Sequence, residues 1–322
     1  MRILFAGSPS IAVPALEALA VLCGEGKDFS MAGLLTNPDS PKKRSGKPEP
    51  TDCAAAFQRL SAAPVLKPEK LDGAARELVS ALKPDLLVSF AYGKIFGPKF
   101  LALFPLGGIN IHPSLLPKYR GPTPIPAAII NRETETGITI QKLAAEMDSG
   151  DILIQETVPL SGRETAGTLS ETMAARAAEL LPAALRGIAG ETLPAREQDH
   201  GTAIYCSLIL KENGIINWNL SAPEIDAQIR AYDPWPLSRT MHGDLELIIL
   251  KAEAPEGKPP LPPTGSRVLP GGVLGKDDKK GILIQTGDGI LAVSALQYQT
   301  KKALDWKAFL NGARNFIGTR LG

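Results

Sequence analysis

Asp85–Ala91 reads DLLVSFA, an almost unbroken apolar run. A strand with one wet face alternates polar and apolar residues, so a run like this fits a strand covered on both faces, as in parallel sheets flanked by helices. Its neighbours repeat the pattern. Arg2–Ala6 (RILFA) and Ser30–Leu35 (SMAGLL) have strand length, and Ser10–Leu22 between them carries apolar residues at the three-to-four spacing of a helix. Asp52–Leu60 and Pro68–Leu82 read as helices with a short strand at Pro64–Leu66 between them. Gly107–Ile111, Gly137–Leu143 and Ile152–Leu160 read as strands, and the alanine-rich Thr168–Ile188 as a long helix. Strand and helix signals in alternation predict an α/β fold over residues 1–190, with a doubly wound, mostly parallel, Rossmann-like sheet.

A chain of 322 residues exceeds one typical domain and fits two. Residues 191–205 begin with the polar, aperiodic ETLPAREQDHGT and read as a linker. The pattern then changes over 206–322. A helix is expected at Ala222–Ala231, with strands at Leu245–Ala252, Ser266–Leu269, Gly281–Thr286 and Ile290–Leu296. The proline-rich EAPEGKPPLPPTG connects two of these strands. Short strands with turn punctuation predict a small C-terminal β-barrel of the OB type.

A formal net charge of +1 gives no global argument for an acidic partner, so nucleic-acid binding must rest on local patches. Cys23, Cys53 and Cys206 are odd in number and widely spaced, which fits three reduced thiols and no zinc site. FAGSPS after the first strand lacks the G-x-G-x-x-G fingerprint, and no P-loop lysine follows, so neither NAD nor ATP is indicated. The first residues enter a strand directly, without a basic leader or a long apolar span. A cytoplasmic monomer without membrane association is expected.

Asn110 and His112 lie two apart at the end of the strand in GGINIHPSLLPKYRG, so their side chains point the same way at the edge where open α/β sheets bind ligands. On spacing alone, a satisfied core Asn and a His at a turn fit equally well. Asp148 stands in a Ser-Gly loop, MDSGD, where an Asp is ordinarily a turn former. Taken together, the three supply a donor, a proton carrier and an anion, the parts needed for acyl transfer to an amine. Lys118, Tyr119 and Arg120 follow, able to meet anions or to lie solvated. Lys42, Lys43, Arg44 and Lys47 form a basic loop that fits either phosphate binding or a solvated surface. Trp218 and Trp235 are expected in the core.

FAGSPSIAVPALEAL, INIHPSLLPKYRG, TGITIQKLAAEMDSGDIL, IRAYDPWP and FLNGAR, in this order, resemble the methionyl-tRNA formyltransferase family. The Asn-x-His-x-Ser-Leu-Leu-Pro element and the Asp loop resemble the wider 10-formyltetrahydrofolate-dependent formyltransferase superfamily. This resemblance implies a folate-dependent catalytic domain followed by a barrel that holds tRNA. It implies catalytic roles for Asn110, His112 and Asp148, and folate binding by Ser114, Leu115, Leu116 and Pro117. It also implies 10-formyltetrahydrofolate as co-substrate, no metal, and initiator methionyl-tRNA as partner. A sugar-amine or purine-precursor formyltransferase would share the three catalytic residue types.

Overall fold

The computed structural model describes residues 1–41, 46–255 and 268–322. In chain order, β1 (Arg2–Gly7) leads to α1 (Val13–Gly24) and β2 (Ser30–Leu35). Two short strands follow, β3 (Ser40–Pro41) and β4 (Pro48–Glu49), then α2 (Asp52–Leu60) and β5 (Val65–Leu66). Next come α3 (Gly73–Ala81), β6 (Leu86–Phe90), α4 (Pro98–Leu101) and β7 (Gly108–His112). After α5 (Pro124–Ile130) the chain forms β8 (Glu135–Lys142), β9 (Ile152–Pro159) and the long α6 (Ala166–Ala189). The chain divides into two compact units. One comprises Met1–Pro124, Glu135–Pro159 and Leu169–Ser207; the other comprises Ile125–Thr134, Leu160–Thr168 and Leu208–Gly322.

A seven-stranded sheet organises the first unit, in the order β5-β2-β1-β6-β7-β8-β9. The first five of these strands pair in parallel; β8 and β9 run antiparallel to their neighbours. The mostly parallel reading holds, with an antiparallel margin that the apolar runs alone did not distinguish. All five residues of β6 are buried, as expected of a strand between two layers. Strand order reverses between β1 and β6, which opens the crevice at the carboxyl edge where such sheets place ligands. Local chemistry sets the helix starts. Asp72 accepts from the N–H of Ala75 and begins α3 at Gly73, five residues later than periodicity alone suggests. Thr51 caps α2 in the same way through Ala54.

Residues 191–205, read as a linker, are pinned to the first unit. Ile152 and Arg196 exchange two backbone hydrogen bonds of 2.8 Å, which covers the free side of the edge strand β9. Arg120 and Tyr205 form a parallel bridge through Ile204 O and Cys206 N.

In the second unit α7 (Ala222–Ala231) precedes β10 (Ser238–His242) and β11 (Leu245–Glu253). Then come β12 (Val273–Asp277), β13 (Gly281–Gln285), β14 (Ile290–Tyr298), β15 (Leu304–Asp305) and α8 (Trp306–Gly312). The strands form an antiparallel sheet in the order β10-β11-β14-β13-β12, with β15 beside β14. The expected strand at Ser266–Leu269 falls partly outside the described residues, and Val268 and Leu269 are not in a strand. The C-terminal residues touch both outer strands. Val273 of β12 bonds to Gly318 and Thr319, and Gly322 N–H donates to Met241 O of β10. Leu321 enters the core beside this seam, with Ile225, Leu247, Ile249, Val293 and Phe316. Trp218 also lies in this core and donates through Nε1–H to Thr240 Oγ1 at 2.9 Å. Trp235, by contrast, is exposed, which corrects the expectation of a core residue.

Leu321→Ala should remove about 2–5 kcal/mol from the second unit by opening a cavity at the seam. A lowered urea midpoint followed by the fluorescence of Trp218 checks this; an unchanged midpoint would mean that the C-terminal residues do not hold the sheet.

Candidate active site

Asn110 and His112 sit on β7, with β6 in parallel on one side and β8 antiparallel on the other. Gln141 of β8 is the direct cross-strand partner of Asn110, and Thr139 that of His112. Directly opposed residues project from the same face of an antiparallel pair, so Gln141 joins Asn110. The turn after β8 then brings in Asp148, whose backbone is left-handed at φ 52°. An Asp tolerates this region better than most residues do. Gly150 is fixed by close approach, since a Cβ there would collide with Lys142 O.

Four groups converge on the Asp148 carboxylate. Oδ1 accepts from Asn110 Nδ2 at 3.2 Å and from Gln141 Nε2 at 3.0 Å. Oδ2 accepts from the Gly121 N–H at 2.9 Å and lies 3.6 Å from His112 Nδ1. The three groups scattered through the sequence at 110, 112 and 148 are therefore neighbours. His112 is buried, with Nε2 2.9 Å from the carbonyl oxygen of Tyr119. A carbonyl only accepts, so Nε2 carries the hydrogen and Nδ1 is the nitrogen left to exchange a proton. The ring is thus aligned by Tyr119 O, while Asp148 faces the other nitrogen. In a Ser-His-Asp triad, by contrast, the carboxylate holds the hydrogen-bearing nitrogen.

Gly121 is required for this arrangement. Its φ of 117° is unsuited to other residues, and a Cβ would collide with Cys206 O. Arg120, read as an anion binder or a solvated cation, is neither: the residue is 1% exposed and its guanidinium bonds to Gln198, Tyr205 and His200. The Ser114–Pro117 stretch is tightly held. Ser114 Oγ donates to Lys118 O at 2.6 Å, Thr139 Oγ1 donates to Ser114 O, and Gln155 Nε2 donates to Leu116 O. Ser114 and Leu116 are buried; Leu115 and Pro117 keep part of their surface.

Lys42, Lys43 and Arg44 lie outside the described residues, and Lys47 is exposed just before β4. Sequence reasoning missed Gln141, Gly121, Tyr119 O and Gln198. Gln141 left a signal, a polar residue inside the otherwise apolar GITIQKL; Gln198, in an aperiodic polar segment, left none. The cysteines are all free, and burial first, then the nearby Asp52 carboxylate, pushes the Cys53 thiol up to about 12. Among the described residues no His, Cys, Asp and Glu cluster could hold a metal, and no helix is long and apolar enough to cross a membrane.

A doubly wound sheet with an amide, an imidazole and a carboxylate gathered at its carboxyl edge fits a group-transfer enzyme. Residues 1–185 match the family described as formyl transferase, and residues 208–314 match the formyl transferase C-terminal domain. The chain belongs to the formyl transferase family. It is 47% identical to a methionyl-tRNA formyltransferase of Treponema denticola, over 98% of each chain. It is 40% identical to one of Borrelia hermsii, over 99% of each. Among solved structures it resembles in fold an N-formyltransferase of Helicobacter canadensis in complex with folinic acid and dTDP-3-aminofucose. That likeness has a TM-score of 0.65 at 20% identity, over 92% of this chain and 99% of the other.

The chain has three histidines, so the His112 ring should be resolvable in nitrogen-15 spectra. The neutral ring is expected to carry its hydrogen on Nε2; a neutral ring protonated on Nδ1 would overturn the assignment of the reactive nitrogen.

Proposed function

We propose that this protein transfers the formyl group of 10-formyltetrahydrofolate to the α-amino group of methionine on initiator tRNA. The observation that carries the reading is the convergence of Asn110, His112 and Asp148 at one edge of the sheet. Full-length likeness to methionyl-tRNA formyltransferases, covering both units, supports tRNA as the acceptor.

Ala91 follows directly on Phe90, the partner of Ile111, so the turn after β6 leaves the sheet at the same edge as His112. Ala91, Gly93 and Ile95 are exposed in that turn and offer a folate apolar surface. In the Ser114–Pro117 stretch, Leu115 and Pro117 are the residues with surface to offer the folate, while Ser114 and Leu116 hold the loop.

Bound 10-formyltetrahydrofolate supplies an activated formyl carbon. An α-amino group, with an ordinary pKa of about 8, needs modest help to lose its proton. His112 Nδ1 takes that proton, holds it beside Asp148 Oδ2, and gives it up to the folate N10 as the carbon–N10 bond breaks and tetrahydrofolate leaves. The Nε2–H bond to Tyr119 O stops the ring from swinging away. Asn110 gives one amide hydrogen to Asp148, which orients the side chain, and the other points to the oxygen that gains charge as the amine attacks. No metal takes part in this mechanism.

Incubation with 10-formyltetrahydrofolate and charged initiator tRNA should yield formylmethionine; formylation of a sugar amine or a purine precursor instead would replace the acceptor. Losing the Asn110 donor should cost about 10²–10³ in kcat, and losing the His112 base about 10²–10⁴. The Asn110→Ala, His112→Ala double variant should lose far less than the product, because the two act as one unit. Full turnover by either single variant would end the assignment.

For tRNA we propose the basic run of Lys42, Lys43, Arg44 and Lys47 as a phosphate contact, in a protein that acts as a monomer in the cytoplasm. Lys43→Ala with Arg44→Ala should raise KM for tRNA and flatten its salt dependence. An unchanged salt slope would remove this basic run from the tRNA surface.

A further inference from the structure

Behind Asp148 lies a line of buried polar side chains that the mechanism above does not use. Arg120 gives Gln198 Oε1 two hydrogen bonds, from Nε at 3.1 Å and Nη2 at 2.7 Å. Gln198 Nε2 reaches Gln141 Oε1 at 3.1 Å, Asp148 O at 2.9 Å and Gly150 O at 2.7 Å. Gln141 Nε2 then donates to Asp148 Oδ1 at 3.0 Å. Arg120 and Gln198 are 1% and 3% exposed, so water does not compete for these bonds.

The order of donors and acceptors along this line is forced from both ends. Arginine has only donors, so Gln198 must turn its carbonyl oxygen to Arg120 and its NH2 toward Gln141. Gln141 must answer with its oxygen, which leaves its own NH2 for the carboxylate. An ionised carboxylate only accepts, so the far end agrees. A Gln amide can otherwise flip end for end; flipped, Gln141 would set a carbonyl oxygen against Asp148 Oδ1. Among the described residues no carboxylate forms an ion pair with Arg120, and the amide line is its polar connection to the anion at Asp148.

We propose that Gln198 is a positioning residue for the reaction: with Arg120 behind it, it fixes the flip state of Gln141 and the backbone of the 148–150 turn. It thereby holds the Asp148 carboxylate against His112 Nδ1. The inference rests on the assignment of Asp148 and His112 to formyl transfer.

Gln198→Glu tests it. The new carboxylate still accepts from Arg120 but cannot donate to Gln141, Asp148 O or Gly150 O. We expect a folded protein whose kcat falls roughly 10- to 100-fold, as for a sub-ångström to one-ångström misplacement of a reacting group, with KM little changed. Because the effect runs through Asp148, Gln198→Glu combined with Asp148→Asn should be no slower than Asp148→Asn alone. Losses that multiply, or a Gln198→Glu enzyme with full kcat, would overturn the proposal. If Gln198→Glu does not fold, Gln141→Met removes the last link while Gln198 still holds the turn, and the same comparison with Asp148→Asn applies. The nitrogen-15 chemical shift of His112 Nδ1 gives a readout independent of turnover. It should move in Gln198→Met, which adds no charge and cannot donate, and in Asp148→Asn alike, and an unmoved shift in the former counts against the relay. Should the wild-type protein form no formylmethionine while the shift moves as expected, the positioning stands and the assigned reaction falls.

Discussion

A single carboxylate gathers side chains from several elements at the carboxyl edge of the sheet. Asp148 accepts from β7, from β8 and from the backbone of the loop after β7, and it faces the one nitrogen of His112 free to exchange a proton. A partly buried anion must be matched by donors or it costs stability. Here the matching also fixes geometry, because each donor comes from a different piece of chain. The antiparallel pairing of β7 and β8 is what puts Asn110 and Gln141 side by side to meet the same oxygen.

Much of the fold was legible in the sequence because hydrophobic periodicity reports burial. The run at Asp85–Ala91 announced the buried β6, and the three-to-four spacing over Ser10–Leu22 announced α1. Direction was less legible: β7 and β8 have similar apolar content, and nothing within a strand says whether its neighbour runs with it or against it. Short elements also escaped. β10, β12 and α8 are brief and rest on long-range packing, such as the contacts of Val273 with the C-terminal residues. At Asp72 a capping side chain outweighed periodicity and set where α3 begins.

At the site, residue chemistry pointed to Asn110, His112 and Asp148, while their assembly was invisible. The i, i+2 spacing of Asn110 and His112 implied a shared face, but only the folded chain brings residue 148 to them. Arg120 shows the limit most clearly. A cation in a polar, proline-bounded stretch reads as surface, yet it is buried because Gln198, His200 and Tyr205 arrive from 78 to 85 residues away in the chain. The polar, aperiodic segment that carries those residues read as a spacer for the same reason: it lines a polar interior, and periodicity registers only apolar burial.

That segment has a bearing on how such enzymes are cut and recombined. The family match for the first domain stops at residue 185, and α6 ends at Ala189, an inviting place to part the two halves. Yet the strip from Arg196 to Cys206 zips onto β9 and onto the loop before Gly121. A graft that exchanged everything after α6 would strip Gln198, His200 and Tyr205 from Arg120 and bare a guanidinium to solvent. The first unit runs on to Ser207, so a piece ending at α6 arrives without its own tailpiece.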